Sequence, residues 1–256
     1  MIIQIKIMNK KYFVSIIAAF FVLLQSCNNS NKSQTPIEKE QVSIKEEKKS
    51  EAVGRNLETR KTIADFIPAG YKIFQEIKGD LNKDGVEDRV IIIKGTNKEN
   101  IITDEYRGEL DRNRRGIIVL FKENGNYIQV VKNYDCFSSE NEDGGVYFAP
   151  ELDVSIEKGK LYVHYGHGRY GYWTYTFRLK NNDFELIGYD SSDNFGPRID
   201  SETSINYLTK KKVTKTNTNQ EGEGGDEVFE EKTEKIKVNK LVQLSKIKDF
   251  DELEST

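Results

Sequence analysis

A mainly β domain is what this sequence predicts: an antiparallel meander closed into a sandwich or partial barrel, with few short helices. Three observations carry the prediction. From Ile63 onward, apolar and aromatic residues come in short runs bounded by turn residues, as strands do. The separators include Glu123-Asn124-Gly125-Asn126, Lys158-Gly159 and Asn181-Asn182-Asp183, all compact hairpin loops. Helical patterning is confined to residues 62–66 and 245–253. Successive hairpins with so little helix imply neighbours paired antiparallel.

In chain order, strands are expected at residues 71–78, ahead of an acidic turn, and at 89–94, which carries a Val-Ile-Ile-Ile run. The next pair, 116–122 and 127–133, flanks the Asn-Gly separator; 152–157 and 160–165 flank Lys158-Gly159. The runs 172–180 and 184–189 flank the Asn-Asn-Asp turn, and 203–214 and 228–238 complete the set. Two insertions, 96–115 and 216–227, are too polar to be core, and the second is expected to be disordered. No period of 20–50 residues recurs, which argues against a repeat array.

Composition narrows the function classes. The chain has 256 residues, 36% hydrophobic and 32% charged, enough for one core under a very polar surface. Lys and Arg total 39 against 42 Asp and Glu, so there is no basic footprint for nucleic acid. Two cysteines cannot build a disulfide framework.

The start of the chain reads as an address. Lys6, Lys10 and Lys11 precede an uncharged apolar run over 12–24, which is the length of a signal-peptide h-region. It is too short for an ordinary membrane span of about 20 residues. The run ends in Leu24-Gln25-Ser26-Cys27, which resembles the lipobox of bacterial lipoproteins. That resemblance implies a signal peptide over 1–26 and acylation of Cys27, hence a membrane partner and a cell-envelope location facing periplasm or exterior. In a Gram-negative cell the outer membrane is expected. Loss of residues 1–26 takes three lysines and no acid, leaving a net charge of −6. The lipid, at about 0.8 kcal/mol per buried CH₂, must then do the anchoring. Residues 27–62 read as a disordered polar tether, without an aromatic residue after Cys27 and with a reach of roughly 30–35 Å. Residues 63–256 are expected to form a single β-rich domain.

One metal signature stands out. Asp80, Asn82, Asp84 and Asp88 place oxygens at alternating positions, Gly85 follows the third, and the Val86 carbonyl would add a further ligand. Calcium takes six to eight hard oxygens, and such spacing points them inward from a coiled loop. The EF-hand's acidic twelfth position is Ile91, and a strand rather than a helix follows. The segment therefore resembles the strand-flanked calcium loops of FG-GAP and VCBS-type repeats, over about residues 71–94 and in a single copy. That resemblance implies a structural Ca2+. An acidic turn held by its own Asp and Asn side chains is the competing reading.

The most aromatic stretch is LYVHYGHGRYGYWTYTFRL, residues 161–179. Alternation puts Leu161, Val163, Tyr165, Trp173, Tyr175, Phe177 and Leu179 on a core face. The opposite face would carry Tyr162, His164, Tyr170 and Tyr172, with His167 and Arg169 in the connecting loop. Those six residues are the candidate ligand-binding set, suited to stacking a glycan or an envelope-protein segment. The competing reading is a sheet face covered by another strand layer. Only two histidines occur, too few for a zinc site without Cys136, and Glu140, Glu142 and Asp143 would hold the Cys136 thiol protonated. No catalytic motif is present. The expectation is a lipid-anchored, non-catalytic binding or structural module. A carbohydrate-active or other hydrolytic enzyme, and an inhibitor or immunity-type partner, are the alternatives.

Overall fold

The computed structural model describes residues 57–142 and 149–253. The lipobox, Cys27, most of the tether and Asp143 lie outside them. Fourteen strands follow in order: β1 (Thr59–Arg60), β2 (Tyr71–Gly79), β3 (Asp88–Gly95), β4 (Ile101–Asp104), β5 (Gly108–Asp111), β6 (Arg115–Glu123) and β7 (Asn126–Phe137). Then come β8 (Glu151–Glu157), β9 (Lys160–Gly166), β10 (Gly171–Lys180), β11 (Asp183–Phe195), β12 (Arg198–Asn206), β13 (Lys211–Asn217) and β14 (Phe229–Lys235). Among the described residues helix is limited to 3-10 turns, including Ile63–Phe66 and Leu244–Lys246. The mainly β, antiparallel meander and sandwich arrangement is as the sequence predicts.

The strands form a five-stranded sheet in the order β1-β7-β6-β3-β2 and a seven-stranded sheet running from β8 to β14. β4 and β5 make a separate hairpin within the first insertion. Asn124 and Gly125, Lys158 and Gly159, and Asn181 and Asn182 all have positive φ. These are the two-residue turns that match strand twist, which is why the predicted hairpins form where they do. The run 203–214 departs from expectation by splitting into β12 and β13. Asn206 Oδ1 accepts from the N–H groups of Leu208 and Thr209 at 3.1 and 2.9 Å, and that turn breaks the strand. No helix extends over 245–253, and the 216–227 connection, expected to be disordered, folds back on itself, Asn219 Nδ2 donating to the Asp226 carbonyl at 2.9 Å.

β3 and β6 are buried along nearly their whole length. One face, with Val90, Ile92, Ile117 and Val119, joins Val154, Leu161, Val163 and Phe177 of the larger sheet in the main core. The other face, with Ile91, Ile93, Ile118 and Leu120, is covered by Phe66 and the segment before β2. Burial on both faces explains the unbroken aliphatic runs in these strands. Lys94 at the end of β3 is 2% exposed and bonds Asp111 at 2.9 Å and Glu140 at 2.6 Å, so the polar insertion is tied to the sheet. Burial works against the Asp111 charge, but Lys94 and Asn113 hold its carboxyl down to about 2.

The last segment wedges beside both sheets. The Asn133 side chain donates to the carbonyls of Leu244 and Ile247, and Ser245 Oγ donates to Asp183 Oδ2 at 2.6 Å. Phe250 stacks on Phe137 at 4.8 Å and meets Tyr175 and Phe177 edge-on at 5.3 and 6.2 Å. Phe250→Ala is expected to cost about 3–5 kcal/mol in urea unfolding, the range for a buried aromatic. A loss below about 1 kcal/mol would show that the sheets hold together without this ring.

Candidate functional site

The loop joining β2 to β3 coils around its own side chains. Asp80 Oδ1 accepts from the N–H groups of Lys83 and Asp84 at 2.6 and 3.2 Å, and Oδ2 accepts from Gly85 at 3.0 Å. Asp84 Oδ1 accepts from Val86 N–H at 2.7 Å, while Asn82 Nδ2 donates to Asp84 Oδ2 at 2.9 Å. Lys83 and Gly85 take φ of 64° and 86° to close the coil. Asp88 is fully buried; its oxygens accept from Leu81 and Lys122 N–H at 2.9 and 3.1 Å, tying the loop to β6. Burial pushes its carboxyl above the usual range, Asp84 adds to the rise, and the backbone N–H groups oppose it. Among the described residues no three His, Cys, Asp or Glu side chains form a metal-ligating group. An ion here would need Asn82 and main-chain oxygen as well. The acceptors have capacity to spare, since an ionised carboxylate offers about four lone-pair positions and Asp88 uses two. The loop rests on the β8–β9 hairpin: the Lys83 stem lies over Gly159, and Gly79 faces Ile156.

The aromatic stretch divides. Tyr162, His164 and Tyr172 lie on the outer face of the larger sheet, partly or fully open to solvent. His164 Nδ1 hydrogen-bonds Thr174 Oγ1 at 2.7 Å, and its ring lies 5.5 Å from Tyr172. Tyr170 is not on that face. The chain turns through Gly168–Tyr170, with the N–H of His167 donating to the Gly171 carbonyl and that of Tyr170 to the His167 carbonyl. β10 starts only at Gly171, whose φ is 109° and where a Cβ would overlap the Ser192 carbonyl. Tyr170 thus groups with the loop residues His167 and Arg169, 5.2 Å from the former's ring and 5.3 Å from the latter's guanidinium. A concavity of about 360 Å³ lies against Glu151 and these three residues.

A larger cleft, about 560 Å³, borders His167 as well. Its walls are Tyr165, Trp173, Tyr175, Tyr189 and Phe250, with Ser138, Glu142 and Asp251 among them. Tyr165 and Trp173 stack at 5.4 Å, and Tyr175 lies 5.3 Å from Tyr189. Tyr165 is 1% exposed, and among the described residues no hydrogen-bond partner meets its hydroxyl. Burial pushes that phenol well up, with Asp251 adding to the rise and Arg115 opposing it. Arg115 is itself buried and donates through Nε to the Ser138 carbonyl at 2.9 Å. Glu142 accepts from Ser139 Oγ at 2.8 Å and from Arg112 at 3.0 Å. Asp251 keeps solvent contact, yet surrounding protein mass raises its carboxyl, with Asp249 and Glu142 adding to the rise and Ser138 and Arg114 opposing it. Cys136 is buried and free, and burial pushes its thiol far up.

As the sequence reading assigns them, Tyr165 and Tyr175 are buried in the core and Trp173 packs against it; that these rings also border a cleft went unread. A signal was there: amphipathic rings with polar handles stood where aliphatic residues would fill a plain core. No family model, no curated protein and no solved structure matches this chain, so the assignment rests on its own residues.

Tyr165→Phe removes a hydroxyl whose desolvation nothing repays. It should leave urea stability unchanged or raise it by about 1 kcal/mol, the low end of the cost of a buried unsatisfied group. A loss of that size would reveal a partner for the hydroxyl.

Proposed function

We propose that this chain is a lipid-anchored cell-envelope protein whose β domain is a non-catalytic binding module stiffened by one calcium ion. The observation that carries the binding reading is the aromatic cleft beside His167, where rings and hydrogen-bonding groups converge on one concave surface. Its size falls in the range of small-ligand pockets. Glu142 is held by Ser139 and Arg112, and the nearby thiol is kept protonated, which favours holding a ligand over activating one. Anchoring rests on the apolar run and lipobox before Cys27. Among the described residues no helix is long and apolar enough to cross a membrane. Cys27→Ser should release the protein from the membrane fraction or leave it unprocessed; wild-type fractionation and migration would refute lipidation.

The calcium reading draws on the ligand spacing of Asp80, Asn82, Asp84 and Asp88, on the tight coil that the loop forms around Asp80, and on the burial of Asp88. The ion's work would be electrostatic and mechanical: it removes carboxylate repulsion and pins the β2–β3 connection to β8–β9. Without the EF-hand's bidentate glutamate, a dissociation constant on the order of 10⁻⁴ M is expected. At about 1 mM free calcium, mass action then adds roughly 1.4 kcal/mol. Chelation should lower Tm, and Asp84→Ala should abolish the response. The pH dependence has a defined sign. Asp88 has a folded pKa above its unfolded value, so its contribution is present below that unfolded value and lost as pH rises through the folded one. Calcium should offset that loss, so the gain in Tm on adding calcium should shrink as acid protonates Asp88. Calorimetry without heat of calcium binding at millimolar concentration would sink this part.

A further inference from the structure

We infer that the cleft bounded by Tyr165, Trp173, Tyr189 and Phe250 is a subsite for a neutral, polyhydroxylated ring, one sugar unit of a glycan. The inference rests on the binding reading above and names its ligand class. It also moves the site from the outer sheet face, where alternation alone would put a stacking platform, to the core side of the same strands.

Three features select this chemistry. First, two of the wall rings, Trp173 and Tyr189, are partly exposed over a floor of buried rings, and they suit a ligand with a flat apolar face. Second, the Tyr165 hydroxyl is buried and meets no hydrogen-bond partner among the described residues, and such a group needs an explanation of its own. A ligand hydroxyl reaching it would both donate and accept, as a phenol can. Third, the polar groups beside the rings are rich in acceptors: Glu142, Asp251 and Ser138 could each accept a hydrogen bond from a sugar hydroxyl. Charge argues for a neutral occupant. Glu142 is already paired with Arg112, and Arg114 near Asp251 is paired with Asp249, so a ligand carrying a full charge of either sign would meet a like charge close by. The volume, about 560 Å³, admits a small ring with room for its neighbour.

Trp173 is the single tryptophan of the chain, so fluorescence excited beyond the tyrosine absorption band reports from this cleft. The full chain in detergent would be titrated with D-glucose, N-acetylglucosamine, cellobiose and chitobiose, and separately with glucuronate and tetramethylammonium chloride. Expected is a saturable change in Trp173 emission with at least one neutral sugar, weakened about tenfold by Tyr165→Phe, the value of one hydrogen bond to a buried group. Tm of that variant should be unchanged or higher, which separates lost binding from lost folding. Saturation by tetramethylammonium or glucuronate alone would overturn the sugar class while leaving a binding module. Silence from every probe at tens of millimolar would overturn the inference and take the cleft away from the binding reading, though not the lipid anchor. Loss of the response in Tyr172→Ala but not in Tyr165→Phe would place the site on the outer face and likewise overturn it.

Discussion

The Phe250 ring is the constraint on which the rest of this structure depends. It touches Phe137 from the five-stranded sheet and Tyr175 and Phe177 from the seven-stranded one. The ring comes from a segment with almost no regular secondary structure. Without strand pairing, that segment is held by side chains that substitute for a ladder. Asn133 supplies donors to two of its carbonyls, Asp183 accepts from Ser245, and the Cys136 carbonyl accepts from the Phe250 N–H at 3.0 Å. Each bond satisfies backbone or side-chain groups that burial would otherwise leave costly. The same segment then leaves Asp251 and Leu253 on the wall of the cleft, so the closure of the sandwich also forms the candidate site.

The smaller sheet solves a different problem. Two of its strands are apolar on both faces, and a two-layer sandwich covers only one. The segment before β2 supplies the missing cover through Phe66, and β1 pairs with β7 to hold that segment down. Residues at the end of the polar tether thereby belong to the fold. Buried polar groups at the strand ends are bracketed rather than removed: Asp88 by two backbone N–H groups at one end of β3, Lys94 by two carboxylates at the other. Breaking either bracket would leave a charge stranded in a low-dielectric interior, which is why such groups occur in satisfied sets.

What was legible in the sequence followed from local rules. Asn124-Gly125 and Lys158-Gly159 dictate two-residue turns whatever surrounds them, so the hairpins and the fold class could be read directly. The core face of β9 and β10 was equally local, because strand alternation fixes it. The failures were non-local. Nothing in residues 245–253 signals a strap whose partners are Asn133 and Asp183, more than fifty positions away. The β4–β5 hairpin hid in a charged insertion whose carboxylate Asp111 finds its counterion, Lys94, on the buried end of β3. Tyr170 was put on the wrong surface by extending alternation through Gly171, whose conformation belongs to a turn. The cleft was illegible for the same reason: Ser138, Glu142, Tyr165 and Asp251 meet only once both sheets and the strap are in place.

The two candidate sites sit at opposite ends of β9. Its β8 end packs on the Asp80 loop, and its β10 end opens on the cleft. Seven residues of strand separate them by roughly 23 Å. At physiological salt, charges exposed to solvent are screened over about 8 Å, so an ion in the loop would not change the potential felt at Asp251. Any influence has to be mechanical, carried by the register of the β8–β9 hairpin and by Leu161, Val163 and Tyr165, all buried on one face of the connecting strand. A strand packed that tightly has one arrangement rather than two, so nothing here resembles a switch. Calcium in such a loop would act as a brace, keeping the floor of the cleft at the geometry its rings require.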